Sequence, residues 1–479
     1  MMNVVEVRSA AQSRPRFAVY ACLLIFFAGA ILGVLELGRN LHSQSPAVVH
    51  SAVASHRASG PDWPRMLLQV VVIIAASRAF GWAMRWLRQP QVVGETIAGI
   101  VLGPSLLGWI APGASSFLFP ANSLNLLGAL SQIGLTLFMF LVGLELDLSA
   151  LRSKSHTAVM TSHVSIIFPF FLGSLLSLKL YAPLAPPNVP FSHFALFVGI
   201  SMSITAFPVL ARILAERGML KTPIGSITIA CAAIDDITAW CLLACVVALV
   251  RADAALPVWV TLGGSAVFCA LMVFAVRRVL SNISQRRQPS GSIGEGTMAV
   301  LFLLLLTSAW ITESLGIHAL FGSFLVGAII PRNQALIGEV QKMVSHLTIV
   351  LLLPIFFALT GLRTNVAGLG DGYLWIYGVA ILVAAVVGKF GGSLLSARFS
   401  GSSWHEAATL GVLMNTRGLM ELVVLNIGYD IGILSRPLFT MMVLMAVFTT
   451  MMTSPLLDLL TSLQARTRRE PNAAEHSRT

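Results

Sequence analysis

Long apolar runs recur along the chain, separated by short stretches that carry Arg, Lys, Pro and Ser. A helix of about 20 residues rises roughly 30 Å, which is the thickness of the hydrocarbon core of a bilayer. The pattern therefore predicts an all-α polytopic membrane protein with about 13–14 transmembrane helices. The predicted segments lie near residues 17–37, 66–86, 91–110, 123–144, 156–180, 193–215, 224–250, 256–277, 296–315, 317–331, 343–362, 373–397, 406–428 and 434–462.

Two of these segments contain polar or helix-breaking residues in mid-span. Residues 203–209 place Pro208 in an apolar helix, and residues 414–421 place a polar cluster that includes Asn415 in another. Unwound backbone in a membrane must line a cavity or be buried in protein. Because the two interruptions fall in the two halves of the chain, we predict inverted repeats whose interrupted helices cross at the midplane. Pro208 and Asn415 are candidates for structural or gating roles.

The composition excludes an ordinary soluble enzyme. Of 479 residues, 56% are hydrophobic and only 11% are charged, against about 25% charged in a typical soluble domain. The net charge of +11 fits orientation in a membrane better than nucleic-acid binding, because most Lys and Arg fall in loops on the side of both termini. We therefore predict cytoplasmic termini, no nucleic-acid partner and no enzymatic activity.

The organisation along the chain is simple. Residues 1–62 hold an N-terminal anchor or signal-like helix and a loop, and the sequence favours an uncleaved anchor. Residues 63–465 form the membrane domain, and residues 466–479 form a short charged cytoplasmic tail. All five cysteines lie in apolar runs, where they pack as small hydrophobic residues.

Ionisable residues within the apolar segments are the strongest functional candidates, because each costs about 2.5–3.5 kcal/mol near the bilayer centre. Asp235 and Asp236 are adjacent in the segment 224–250. Neighbours on a helix point about 100° apart, so the two carboxylates should have different partners. Lys389, in another segment, is the natural counter-ion for one of them. The other then needs a proton, a bound cation or a path to solvent, unless the pair is purely structural.

A second charged pair occupies the interrupted segment in the C-terminal half of the chain. Arg417 and Glu421 are four residues apart and lie on one helix face. Their spacing favours mutual neutralisation, a structural or gating role, over direct contact with an ion.

The residues between about 66 and 460 resemble the monovalent cation:proton antiporter-2 family. Residues 414–428 resemble most closely its plant cation/proton exchanger branch and the bacterial relatives of that branch. The resemblance rests on motifs in the following order: QPQVVGE at 89–95, LGPSLLG at 102–108, FLVGLE at 140–145, TAFPVLAR at 205–212, Asp235-Asp236, HALFG at 318–322 and PIFFALTGLR at 354–363.

The resemblance implies the sodium/proton antiporter fold, in which a dimerisation domain supports a core domain with two crossed interrupted helices. It implies that Asp236 is the principal ion- and proton-binding carboxylate and that Asp235 pairs with Lys389. Thr205 would offer a polar ligand, and the two aspartates would bind Na⁺ or K⁺. The Asp-Asp form resembles members thought to be electrogenic.

We therefore expect a secondary antiporter that exchanges K⁺ or Na⁺ for protons by alternating access, without a cofactor. We expect a homodimer, surrounded by lipid, in a bacterial inner membrane. A cation channel and a sodium-coupled organic solute carrier of similar fold are the alternatives. Residue types leave Na⁺ and K⁺ both open, because that choice depends on cavity radius and hydration.

Overall fold

A computed structural model describes residues 22–43, 63–120, 123–145, 156–220, 222–252, 258–286, 295–331, 333–370 and 372–476. The predicted N-terminal region, residues 1–62, lies partly outside the described residues, as does the end of the predicted tail. Over the described ranges the secondary structure is entirely helical.

The described part of the first half of the chain contains ten helices. They are α1 (Cys22–Gly38), α2 (Trp63–Trp86), α3 (Gln91–Leu102), α4 (Leu107–Ile110), α5 (Pro112–Leu118), α6 (Leu124–Glu145), α7 (His156–Leu184), α8 (Phe191–Ser203), α9 (Phe207–Glu216) and α10 (Pro223–Ala252).

The second half continues in the same way and contains three π-helical stretches. Its elements are α11 (Val258–Ala270), a π turn (Leu271–Val276), α12 (Arg277–Arg286), α13 (Glu295–Ser314), α14 (Ala319–Ile329), α15 (Gln334–Leu347), a π turn (Thr348–Leu352), α16 (Leu353–Arg363), α17 (Gly372–Val386), a π turn (Val387–Gly391), α18 (Gly392–Phe399), α19 (Trp404–Met414), α20 (Leu419–Asp430) and α21 (Arg436–His476).

The described residues contain 11 helices that are long and apolar enough to cross a membrane, and the bent pair α19 and α20 raises the number to 12. Two shorter apolar helices, α1 and α14, match the remaining predicted segments. The chain is therefore an integral membrane protein. Helix α21 continues without a break to His476, so the predicted tail begins inside a helix.

The helices pack as two bundles joined by α11 and α12. Helices α2, α3, α6, α13, α14, α15 and α16 contact one another and form the first bundle. Helices α7 to α10 and α17 to α21 form the second bundle. A continuous apolar cluster lies where the bundles meet, and it includes Phe138 and Phe356 of the first bundle and Met420 of the second.

Glycines allow the backbones of the first bundle to approach closely. A Cβ at Gly361 on α16 would lie 1.9 Å from the carbonyl carbon of Gly99 on α3. Gly143 on α6 and Gly327 on α14 make a similar contact, because a Cβ at Gly327 would lie 2.1 Å from the oxygen of Phe140. Small residues serve this purpose in membrane helices, where dispersion between close backbones drives packing.

The two predicted interruptions are present and touch each other. Residues 204–206 separate α8 from α9, and residues 415–418 separate α19 from α20 with a bend of 44°. The amide of Ala206 donates to the carbonyl oxygen of Thr416 at 3.1 Å, so the breaks cross. Gly418 has φ +147°, a conformation that side chains rarely adopt, and this geometry explains a glycine at the crossing.

Candidate functional site

Asp235 is fully buried in the middle of α10 and is saturated with donors. Ser162 and Ser165 of α7 donate to its two carboxylate oxygens at 2.5 and 2.8 Å. Thr205, in the first break, donates at 2.8 Å, and Lys389 forms an ion pair at 2.8 Å. Such complete satisfaction is what an ionised carboxylate needs in a dry environment.

Two features of the backbone around Lys389 bring its side chain to Asp235: a π-helical turn and a close approach to helix α7. It lies in the π turn Val387–Gly391, a type of distortion that is frequent at functional sites. A Cβ at Gly388 would lie 2.8 Å from Pro169 of α7, so glycine lets the two helices approach. The ammonium also donates to the carbonyl oxygens of Ser165 at 3.1 Å and Ser203 at 2.5 Å.

Asp236 has the opposite environment, although it is the next residue. It is 1% exposed, and neither of its carboxylate oxygens has a hydrogen-bond partner in the described part of the chain. It faces the backbone amide of Phe207, the first residue of α9, without a hydrogen bond of normal geometry. The amino end of a helix carries a partial positive charge, so this direction favours an oxygen anion.

Arg417 and Glu421 are both fully buried, and they form an ion pair at 3.2 Å. The guanidinium of Arg417 also donates to the carbonyl oxygen of Met202 at 2.6 Å. Together with the contact of Lys389 to Ser203, this places two cations at the carboxyl end of the half-helix α8. Cations are stabilising there because the last carbonyl groups of a helix carry partial negative charge.

Pro208 and Asn415 mark the edges of the two breaks. Pro208 lies in the first turn of α9, where its missing amide hydrogen removes no helical bond. Asn415 follows α19, and its amide nitrogen contacts the sulfur of Met452 on α21 at 3.8 Å. Its side-chain oxygen is buried without a partner among the described residues.

Two site residues were missed by sequence reasoning, and the predicted polar ligand Thr205 lies beside Asp235. Ser162 and Ser165 were not singled out, because two hydroxyls three residues apart on one face of an apolar helix are only a weak signal. The hydroxyl of Thr205 bonds to Asp235.

Among the buried charged side chains at the crossing, Asp236 lacks an ion-pair partner within the described residues. Lys389 compensates Asp235, and Arg417 compensates Glu421. A carboxylate without a counter-charge or hydrogen bonds is costly in such a place, so Asp236 is suited to hold a proton or a monovalent cation. The described residues contain no cluster of three or more His, Cys, Asp or Glu side chains that could hold a resident metal ion.

A cavity of about 430 Å³ opens between the two bundles at one end of the helices. It is lined by Arg85 and Pro90 from the first bundle and by Ile213, Arg217 and Asp458 from the second. Helix α9 connects this cavity to the crossing, since Ile213 lies six residues, or about 9 Å, from Phe207 beside Asp236.

Comparison with known proteins gives a consistent set of similarities. The family model for the sodium/hydrogen exchanger, transmembrane, matches residues 70–459. The Na(+)/H(+) antiporter NhaS4 of Synechocystis is 44% identical over 392 residues, which cover 82% of this chain and 96% of that protein.

Eukaryotic relatives are longer. Cation/H(+) antiporter 18 of Arabidopsis thaliana is 40% identical over 400 residues, which cover 82% of this chain and 48% of that protein. K(+)/H(+) antiporter 1 of Saccharomyces cerevisiae is 33% identical over 417 residues, which cover 84% and 47%. The chain thus spans about half the length of these two relatives.

A solved structure shares the fold. The sodium proton antiporter MjNhaP1 of Methanocaldococcus jannaschii aligns with a TM-score of 0.60 at 15% identity, and the alignment covers 83% of this chain and 99% of that one.

Proposed function

Because this chain belongs to the sodium/hydrogen exchanger family, we propose that it exchanges a monovalent cation, Na⁺ or K⁺, for protons across a membrane. The family consists of transporters that need no cofactor, and the exchanged ions are their substrates. We propose Asp236 as the carboxylate that binds proton and cation in turn.

One observation carries this assignment. Asp236 is buried at the crossing of two interrupted helices and has no hydrogen-bond partner within the described residues, whereas its neighbour Asp235 has four donors. A site that exchanges its ligand must contain a group that the protein itself leaves unsatisfied. Asp236 fits that requirement, and Asp235 with Lys389 fits a structural charge pair.

The mechanism follows from competition for one carboxylate. When the site faces the cavity, Asp236 releases its proton and binds a partly dehydrated cation, with backbone oxygens of the unwound segments as further ligands. The second bundle then moves relative to the first, and the site opens at the opposite face. A bare carboxylate is too costly to cross the apolar zone, so return requires a proton or a cation, and the fluxes are coupled.

Asp235 and Lys389 hold the helices around Asp236 in position and set the electrostatic field at its carboxylate. The pair keeps a fixed dipole beside Asp236, and Lys389 ties α7, the end of α8 and α10 together. Thr205 belongs to this positioning network through its hydrogen bond to Asp235.

The placement in the cell is also part of the proposal. Arg85 and Arg88 lie at the end of α2 that the charge distribution assigns to the cytoplasm, so the cavity and both termini face the cytoplasm of a bacterial inner membrane. The protein would act as a homodimer, as its resemblance to the family implies. Cross-linking in native membranes tests the dimer, and accessibility of a tag to impermeant reagents tests the orientation.

The decisive experiment is Asp236→Asn in proteoliposomes that contain a pH-sensitive dye. Pulses of Li⁺, Na⁺, K⁺ or Rb⁺ should release protons with the wild-type protein and define the preferred ion. Asp236→Asn should abolish the response to every cation, whereas Glu295→Gln, which removes an exposed carboxylate at the start of α13, should keep it. Retained exchange by a folded Asp236→Asn protein would remove Asp236 from the mechanism.

A further inference from the structure

Among the described residues, the hydrogen bonds and ion pairs that join the two bundles lie mostly at one end of the helices. Helix α21 shows this directly, because Arg436 and Thr440 at its start contact the segment that ends α16. Ser454 and Asp458, later on the same helix, line the cavity. Ser454 lies 18 positions after Arg436, which corresponds to about 27 Å of helix, so the two regions lie at opposite faces of the membrane.

Arg363 is the centre of the contacts at the end of the helices opposite the cavity, which we call the closed end. It is the last residue of α16 in the first bundle, and it forms an ion pair with Asp430 of α20 at 2.8 Å. It also donates to the side-chain oxygen of Asn426 at 2.7 Å, and its guanidinium lies 5.4 Å from the ring centre of Tyr429. One side chain of the first bundle therefore contacts three residues of α20 that lie on one face of that helix, at positions 426, 429 and 430.

Neighbouring contacts join the same two bundles. Asn426 donates to the hydroxyl of Thr360 at 2.8 Å, and the amide of Asn365 donates to Thr440 at 3.1 Å. A second ion pair, Arg251 of α10 with Glu313 of α13, also crosses between bundles at 3.0 Å. Glu313 in addition accepts the amide hydrogen of Ala319 at 2.8 Å, so it is held in place at the start of α14.

The cavity end has a different arrangement of ion pairs. Arg217 pairs with Asp458 at 2.6 Å, and Arg212 pairs with Glu216 at 2.8 Å. Each of these pairs lies within the second bundle. The hydrogen bonds and ion pairs described at this end therefore do not join the two bundles, and the cavity lies between them.

We propose that Arg363, Asn426, Asp430, Arg251 and Glu313 form a latch that closes the face opposite the cavity and sets how often the ion site opens there. This inference rests on the proposed antiport function, which requires the site to open at each face in turn. The latch residues act on the position of the bundles and do not touch the ion, so they are positioning residues.

The chemistry of the latch suits repeated opening. Its ion pairs are partly exposed, with Arg363 at 24% and Asp430 at 49% side-chain exposure. Water can replace such contacts at small cost, in contrast to the fully buried pair of Asp235 and Lys389. Weakening the latch should therefore shift the two-state equilibrium toward opening at the latch face and leave the ion site intact.

The test is Arg363→Gln, with the KM for the cation measured separately at each face in right-side-out and inside-out vesicles. The KM should fall at the latch face and rise at the cavity face, and the ratio of the two should change about three- to tenfold. Arg363→Asp combined with Asp430→Arg should restore the wild-type ratio. Arg398→Gln is the matched control, since Arg398 lies 5.3 Å from the ring centre of Trp404 but within one bundle. An unchanged ratio in a folded Arg363→Gln protein would overturn the latch.

A cross-link separates failure of the latch from failure of the proposed function. Arg363→Cys with Asp430→Cys is made in a full-length chain whose five native cysteines are replaced by serine. A bifunctional methanethiosulfonate, which joins the two thiols through two disulfides and releases two sulfinates, should then stop exchange, and a thiol reductant, which cleaves those disulfides, should restore it. Continued exchange by the cross-linked protein would refute the latch while the antiport stands. Absence of cation-dependent proton flux in the folded wild-type protein would instead refute the proposed function.

Discussion

The buried pair of Lys389 and Asp235 makes the sharpest prediction about stability. In Lys389→Met the ammonium is lost, and an apolar chain of similar length fills its space. Asp235 keeps the hydroxyl donors Ser162, Ser165 and Thr205 but loses its only counter-charge within the described residues. The carbonyl oxygens of Ser165 and Ser203 also lose a donor.

The expected loss follows from the burial of both groups. Both side chains are 0% exposed, and removal of one partner of a buried pair costs about 3–5 kcal/mol because the other charge stays buried. Removal of both charges is far less costly. The double variant Lys389→Met with Asp235→Asn should therefore recover most of the lost stability. It should not recover all of it, because the hydrogen bonds of Lys389 to the carbonyl oxygens of Ser165 and Ser203 are still missing.

The assay is thermal unfolding in detergent, followed by tryptophan fluorescence. The predicted order of apparent Tm is Lys389→Met lowest, the double variant intermediate and the wild type highest. Lys179→Met, which removes an exposed lysine of α7, should match the wild type. If Lys389→Met proved as stable as Lys179→Met, the buried ion pair and the reasoning built on it would be wrong.

Further predictions concern the crossing, the helix packing and the competition for the site. Arg417→Gln leaves Glu421 buried without its ion-pair partner, so the yield of folded protein on size-exclusion chromatography should fall sharply and recover in part with Glu421→Gln. Gly361→Ala should lower the stability by about 1–3 kcal/mol because its Cβ would overlap α3, whereas Gly128→Ala, with open space, should not. Because we propose that proton and cation compete for Asp236, acidification should raise the KM for the cation in flux assays and leave kcat unchanged.

Much of the fold could be predicted from the sequence, because the bilayer imposes a length and a polarity on every crossing segment. Each of the fourteen predicted segments falls on one helix, or on two helices separated by a short break, within the described residues. The interruptions at Pro208 and Asn415 were predicted for the same reason, since polar and helix-breaking residues in mid-span stand out against an apolar background. The contact of the breaks through Ala206 and Thr416 agrees with the predicted crossing.

The ligands around the aspartates were harder to predict. Asp235 and Lys389 could be paired because intramembrane charges are few. Serines are common in apolar helices, so Ser162 and Ser165 gave a weak signal. The contact of Arg417 with the end of α8 depends on backbone oxygens, which every residue has. The role of Asp236 as the exchanged carboxylate stays a prediction.

The central claim is that proton and cation share Asp236, and cation-induced proton release from the purified protein tests it most directly. Addition of the preferred cation to the protein in a weakly buffered detergent solution should acidify the medium, because binding displaces the proton from the carboxylate. The wild type and Glu295→Gln should release protons, and Asp236→Asn should release none. Proton release of wild-type size from Asp236→Asn would contradict the account.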